Sequence, residues 1–288
     1  MNRSRWFWNR FSLYQGGLHW LALPLTLAMA GCASVPLKEG GTLSSYGNLG
    51  VTKGELSKSR TFVDGQGLAA MKTVKIVPTT FASDAASRVK AKADRALVSN
   101  ALDRELCVAL SDKYEVVSAE QPADLTVRAV VTDLVPTDKA MAGVSAMVTL
   151  GTGVVLPVGV PRIPAGLGGL SVEAEAVDSS GIQRAAMVWA RGANSIQNNP
   201  RVSEVGDAYS LASTFGSDFS RMLVTGKEPK DLEIVLPSGQ RVQSWFGGKP
   251  KYAVCDNFGR SSGLARAVFD KIGAPPEWSD KRAEAATQ

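Results

Sequence analysis

Regular alternation of apolar and polar positions begins at Thr73. Val74, Ile76 and Pro78 alternate with Thr73, Lys75 and Val77, the period-two pattern of a half-buried strand, and the proline ends it. Ser83 and Asp84 are capping residues. Beyond them Val98, Leu102, Leu106, Ala109 and Leu110 recur at spacings of three and four, which predicts one amphipathic helix over 86–111. Residues 114–117 read as a short strand. Leu125, Val127, Ala129 and Val131 alternate with Thr126, Arg128, Val130 and Thr132 in another. Val172, Ala174 and Ala176 alternate with Glu173 and Glu175, and Asp178-Ser179-Ser180-Gly181 then turns the chain into a strand reaching Trp189, a hairpin. A second helix opens at Asp207 as its cap, carries Leu211, Phe215, Phe219, Met222 and Leu223 in one stripe, and stops at Gly226.

The order strand, helix, two strands, hairpin, helix predicts an α+β fold: a two-layer mixed sheet with two main helices on one face. A C-terminal hairpin-helix extension follows, with a turn at Pro237-Ser238-Gly239 and a helix over 261–272 that Gly273 and Pro275-Pro276 terminate. The tail from Asp280 reads as disordered. Upstream, residues 33–70 are rich in Gly, Ser and Lys and read as a tether docking onto the domain.

The N-terminal pattern is of another kind. Residues 1–31 hold Arg3, Arg5 and Arg10 and no acid, then an apolar run over 18–30 that closes on Ala30 and Gly31. That is the build of a secretory signal, and at about 13 residues the run is shorter than the roughly 20 a membrane-spanning helix needs. Leu27-Ala28-Met29-Ala30-Gly31-Cys32 resembles the lipobox of bacterial lipoproteins, with Met29 where Leu is usual. The resemblance implies cleavage before Cys32 and lipidation of its thiol; two or more acyl chains hold a protein stably on a bilayer. By the same resemblance, Ala33 after the cysteine implies the outer membrane, with the domain facing the periplasm. The organisation expected is therefore signal 1–31, tether 32–70, α+β domain 71–226 with an apolar Gly-rich insertion at 140–170, and extension 227–288.

Loss of the signal changes the charge. The chain has 32 Lys+Arg against 27 Asp+Glu, and the signal removes three arginines and no acid. The remainder is close to neutral, so the sequence pI of about 9.1 does not predict a nucleic-acid partner. Cys107 and Cys255 have two readings. In an oxidising compartment they can form a disulfide, or Cys107, flanked by Leu106 and Val108 in a helix, is a buried free thiol. Residues 140–161 carry no charge and are dense in Gly, Ala and Val. They read either as a loop with helical turns over the core or tether, or as an apolar flap that touches a bilayer or a partner.

Candidate chemistry is sparse. His19 is the only histidine and leaves with the signal, which removes His-activated nucleophiles and His-containing metal sites from consideration. Gly259-Arg260-Ser261-Ser262-Gly263 fits the G-x-S-x-G pattern but follows no clear strand, and Ser261 reads as a helix N-cap. Ser87-Arg88-Val89-Lys90 fits S-x-x-K without its partner motifs and reads as helix surface. Glu173 and Glu175 share one face of a strand; the pair reads as a solvated outer face, or as a catalytic carboxylate pair. Trp189, Tyr209, Trp245 and Trp278 read as packing residues, since no basic stripe accompanies them. No metal or cofactor is expected.

Several phrases resemble an uncharacterised bacterial lipoprotein family, domain of unknown function 3313. They are residues 43–49, Arg60-Thr61-Phe62-Val63, the stretch 123–134 from Ala123-Asp124-Leu125 to Thr132-Asp133-Leu134, Ser171-Val172-Glu173-Ala174-Glu175-Ala176-Val177-Asp178 with Gly181, and 275–281. The resemblance assigns no function. At the level of element order the chain is also similar to periplasmic lipoproteins that assist envelope assembly, of the curli-secretion and peptidoglycan-synthase-activator types. The function expected is a non-catalytic binding or envelope-assembly module, attached to the membrane through Cys32 and paired with an envelope protein. The alternatives are a carboxylate-dependent envelope hydrolase using Glu173 and Glu175, and a lipid or small-molecule carrier using the apolar segment as a lid.

Overall fold

The computed structural model describes residues 35–153, 162–195, 198–229, 237–261, 263, 268–270 and 272–281. Among them β1 (Lys58–Val63), β2 (Thr73–Phe81), β3 (Glu115–Val117), β4 (Leu125–Val135), β5 (Gly169–Asp178) and β6 (Gln183–Gly192) form one mixed sheet. Its order is β1-β6-β5-β4-β2-β3. Hairpin connection makes β5 and β6 antiparallel, β4 is antiparallel to β5, and the helical crossovers make β2 parallel to β3 and β4. The α+β class read from the sequence is the class of the structure.

The hairpin turns where the sequence places it. Gly181 adopts φ 83°, a left-handed conformation that glycine enters without Cβ strain, and the Asp178 carboxylate accepts from the N–H groups of Ser180 and Ile182 at 2.9 Å each. Strand β1 and the short helix α1 (Gly65–Ala69) that follows it fall in the segment expected to be tether. The strand pairs antiparallel with β6 from Lys58↔Ala190 to Val63↔Ala185, so the sheet begins some fifteen residues earlier than its apolar alternation suggests.

Helices α3 (Lys92–Leu110) and α5 (Gly206–Thr225) pack side by side over one face of the sheet. Val172, Ala174 and Ala176 of β5 point into that layer with Trp189, Phe215 and Phe219. Trp189 meets Phe215 edge-on at 5.5 Å between ring centroids. Gly226 closes α5 in the left-handed conformation, its N–H bonded to the Met222 carbonyl at 2.9 Å.

The expected single helix over 86–111 is two, α2 (Ser83–Arg88) and α3, because Val89 is extended. Neither glycine nor proline marks the break. Arg95 holds it by reaching back to the carbonyls of Val89 at 2.6 Å and Lys90 at 3.1 Å, which the interrupted helix leaves without partners.

The C-terminal part covers the outer side of α3 and departs most from expectation. Ser238 caps a helix, α6 (Gly239–Trp245), where a hairpin turn is expected. Ser261 lies in a two-residue strand, Arg260–Ser261, paired with Asp280–Lys281, and not at a helix N-cap. Of the helix expected over 261–272, residues 268–270 are helical, and 262, 264–267 and 271 lie outside the described residues. Asp280 is no part of a loose tail: it is buried and pairs with the Arg104 guanidinium of α3 at 2.9 Å, while Tyr209 Oη donates to it at 2.6 Å. A disulfide joins Cys107 of α3 to Cys255, with Cα atoms 5.7 Å apart and both residues buried. Trp189 and Tyr209 are core; Trp245 and Trp278 are exposed, contrary to their reading as packing residues.

Candidate functional site

On the face of the sheet opposite the helices, residues 35–50 lie as an extended strap. Thr42 and Ser44 are two apart, the same spacing as Glu173 and Glu175 on one face of β5, and this match seats the strap. Glu173 accepts from the N–H of Gly40 at 2.6 Å and of Thr42 at 3.1 Å, from Thr42 Oγ1 at 2.5 Å and from Tyr46 Oη at 2.7 Å. Glu175 accepts from the N–H of Ser44 at 2.9 Å, from Ser44 Oγ at 2.5 Å, from Gln183 Nε2 at 2.7 Å, and from the Arg128 guanidinium. The bonded pairs 42–173 and 44–175 keep one sequence separation, so the strap runs in the same direction as β5.

Apolar contacts complete the seat. Leu43 and Leu49 bury against Ala186 and Val188 of β6, with Leu37, Tyr46 and Phe62 around them. Two glycines permit the approach: a Cβ on Gly40 would lie 2.5 Å from Thr132 Cγ2, and one on Gly169 would lie 2.1 Å from Val35 Cγ2. Glu173 and Glu175 are thus both 0% exposed, where the sequence reading places them in solvent. The pattern identified their shared face correctly, but a single strand cannot say what covers it.

Burial pushes the Glu175 carboxyl up, and the hydrogen bonds from Ser44, Gln183 and Arg128 outweigh burial and hold it below the usual glutamate range. Tyr46 moves the other way, raised chiefly by burial. The strap's polar residues Thr42, Ser44 and Tyr46 are the site residues that sequence reasoning missed. They fall in or beside the phrase 43–49, but only its apolar members carry a pattern.

Three further regions border this face or the helical layer. At the end of the sheet where β4 stops, helix α4 (Lys139–Gly153) occupies part of the uncharged segment. It is a regular helix where a loop or flap is expected, and residues 154–161 lie outside the described residues. Beside it Asp207, expected to cap α5, turns away from that helix. It binds Arg162 Nη1 at 2.6 Å and the Gly168 N–H at 2.8 Å, fastening the return from the insertion into β5. A cleft of about 230 Å³ opens between β2, β3 and the C-terminal part, lined by Ile76, Pro78, Val116, Glu120 and Phe258 among others. Among the described residues no group of His, Cys, Asp and Glu could hold a metal ion, and no helix is long and apolar enough to cross a membrane. Cys32 lies outside the described residues.

The fold and this face define an α+β domain whose mixed sheet carries helices on one side and an N-terminal strap, latched by two buried carboxylates, on the other. The chain belongs to the family of proteins of unknown function DUF3313, whose sequence profile matches residues 38–219, from the strap through α5. No curated protein matches the chain. Among solved structures it is similar to the PelC dodecamer from Paraburkholderia phytofirmans, at 10% identity over 61% of this chain and all of that one, with a TM-score of 0.35. A single-substitution variant of that dodecamer is similar at 12% identity over the same shares, with a TM-score of 0.31.

Proposed function

We propose that this protein is an outer-membrane lipoprotein, held by acyl chains on Cys32, whose domain faces the periplasm and serves as a non-catalytic binding or envelope-assembly module. The observation that carries the reading is the latched strap. Glu173 and Glu175 are the carboxylate pair singled out as candidates for hydrolysis, and their oxygens are taken up by donors of the strap and of neighbouring strands. They act as structural anchors. The Cys107–Cys255 disulfide supports the same compartment, because such bridges persist where the surroundings are oxidising. The cleft beside β3, at about 230 Å³, falls below the roughly 300–1,000 Å³ usual for ligand sites.

The test is made on protein extracted from separated inner and outer membranes. Intact mass is expected to begin at Cys32 with added acyl chains, in the outer-membrane fraction, and amine cross-linking of intact cells is expected to yield one discrete larger adduct. A chain beginning at Met1 or bearing a free Cys32 defeats the anchor. A purified envelope-degrading activity that disappears in Glu173→Gln with Glu175→Gln, while the fold survives, defeats the non-catalytic reading.

A further inference from the structure

Helix α4 shows solvent an apolar face. Ala140, Val144, Met147 and Val148 fall at successive spacings of four, three and one, a single side of a helix. Val144 is 48%, Met147 75% and Val148 40% exposed, whereas Ala142, Ser145 and Ala146 on the other side are buried. A surface helix ordinarily turns polar residues outward. Val202 and Ile272 extend the face: both are exposed, a side chain at Gly143 would meet Val202, and one at Gly273 would meet Ala146.

The position of this face points to what covers it. Helix α4 starts four residues after Val135, which pairs with Gly169 at the first residue of β5. Val35 packs on that same Gly169. Because the strap runs in the direction of β5, the chain followed back toward its N-terminus leaves the sheet at the end where α4 sits. Cys32 is three residues from Val35, a reach of about 11 Å at full extension. Any anchor on that cysteine therefore holds the α4 end of the molecule nearest the bilayer.

We infer that the exposed face of α4 is a lipid-surface contact, lying in the membrane interface beside the acyl chains of Cys32. The inference rests on Cys32 being acylated and goes further, fixing which end of the domain meets the lipid. Charge agrees with it. Residues 140–161 contain no charge at all, and at the start of the helix the exposed Asp138 and Lys139 offset one another, so the helix itself presents an anionic surface with no net repulsion. An interfacial helix sinks its apolar side about 5–10 Å into the headgroup and acyl boundary. Val144, Met147 and Val148 would fill that depth without any segment crossing the bilayer.

The experiment uses the full chain, expressed with its signal, extracted from membranes, and reconstituted in phosphatidylethanolamine/phosphatidylglycerol vesicles with and without brominated acyl chains. Met147→Cys is labelled with an environment-sensitive fluorophore; Ser180→Cys, in the turn at the far end of the β5–β6 hairpin, is the control. Cys107 and Cys255 are bridged and do not label, and intact mass reports whether Cys32 is acylated. The inference expects a several-fold brighter, blue-shifted label at 147 that brominated lipid quenches by more than half, and an unquenched, water-exposed label at 180. Acylated protein with a water-exposed label at 147 overturns the inference and leaves the anchor intact. A label at 147 that is shielded in detergent, with a doubled mass in solution, overturns it in favour of a second copy on this face. Protein whose Cys32 is free, and so takes the label itself, removes the anchor and the inference that rests on it.

Discussion

Asp103 lies on α3, fully buried, with its carboxyl turned to β2. Pro78 has no N–H to give the ladder, and the register with β4 slips between Val77 and Thr80. The slip frees Thr79, whose N–H reaches Asp103 Oδ2 at 2.9 Å and whose hydroxyl reaches Oδ1 at 2.5 Å. Burial pushes the Asp103 carboxyl up to about 7, against the opposing pull of the Thr79 bonds. The folded protein therefore holds a proton that the unfolded chain releases near pH 4, so this group's contribution to stability is complete below about pH 4 and is lost as the pH rises to about 7. Asp103→Asn keeps an acceptor and cannot ionise. Its melting temperature is expected to match wild type near pH 5 and exceed it by a few degrees at pH 8; melting curves that stay parallel across that range would remove the assignment. At the strap, Glu173→Leu removes four hydrogen bonds to a carboxylate, each worth about 1.5–3 kcal/mol, leaving the Thr42 N–H its second acceptor, Tyr46 Oη at 2.8 Å. Trypsin cleavage at Lys38 should rise at least about tenfold while the helical layer still melts cooperatively, and unchanged cleavage would show that the strap is held by its leucines alone. Glu175 sets the acid limit of the same latch. Its lowered pKa gives a contribution present above the usual glutamate value and lost only as the pH falls through the depressed one. None of this was legible in one sequence, because Asp103 and Thr79 are 24 residues apart and the strap and its carboxylates more than 120.

Elements with a strong period of their own were legible. Strands β4, β5 and β6, and helix α5 with its glycine stop, match the alternation and the three-and-four spacing from which they were read, whereas β2 begins as read but runs through Pro78, where its end is expected, as far as Phe81. Elements defined by their neighbours were not. Strand β1 exists because β6 offers it an edge, and the strap lacks secondary structure of its own. The C-terminal segment belongs with these. Its 3₁₀ turn over Ala253–Phe258 is tied to α3 by the disulfide, and Asp280 by the buried Arg104. The bridge spans 148 residues, and closing a loop of that size is worth on the order of 4–5 kcal/mol in the chain-entropy account. Cys255→Ser with Cys107→Ser is expected to lower the denaturant midpoint accordingly, with proteolysis appearing first at Lys249 and Lys251. A midpoint unchanged from wild type would mean that Arg104 and Asp280 hold the segment without it.

Across the whole molecule, the two-layer reading needs one addition: the second sheet face is covered as well, by the molecule's own N-terminal segment. That addition gives the fold a history. The strap is the earliest part of the domain to be made, yet its seat on β5 and β6 is completed more than 130 residues later. Until then it is a free extended chain. On the anchored reading, the enzymes that modify Cys32 meet that cysteine on slack line, because β1 too waits for β6 and up to about 140 Å of extended chain separates Cys32 from β2. Latching takes up the slack only after β6 has formed, so on that reading the finished domain is winched toward the bilayer by its own folding, and the distance between lipid and domain records whether the sheet is complete.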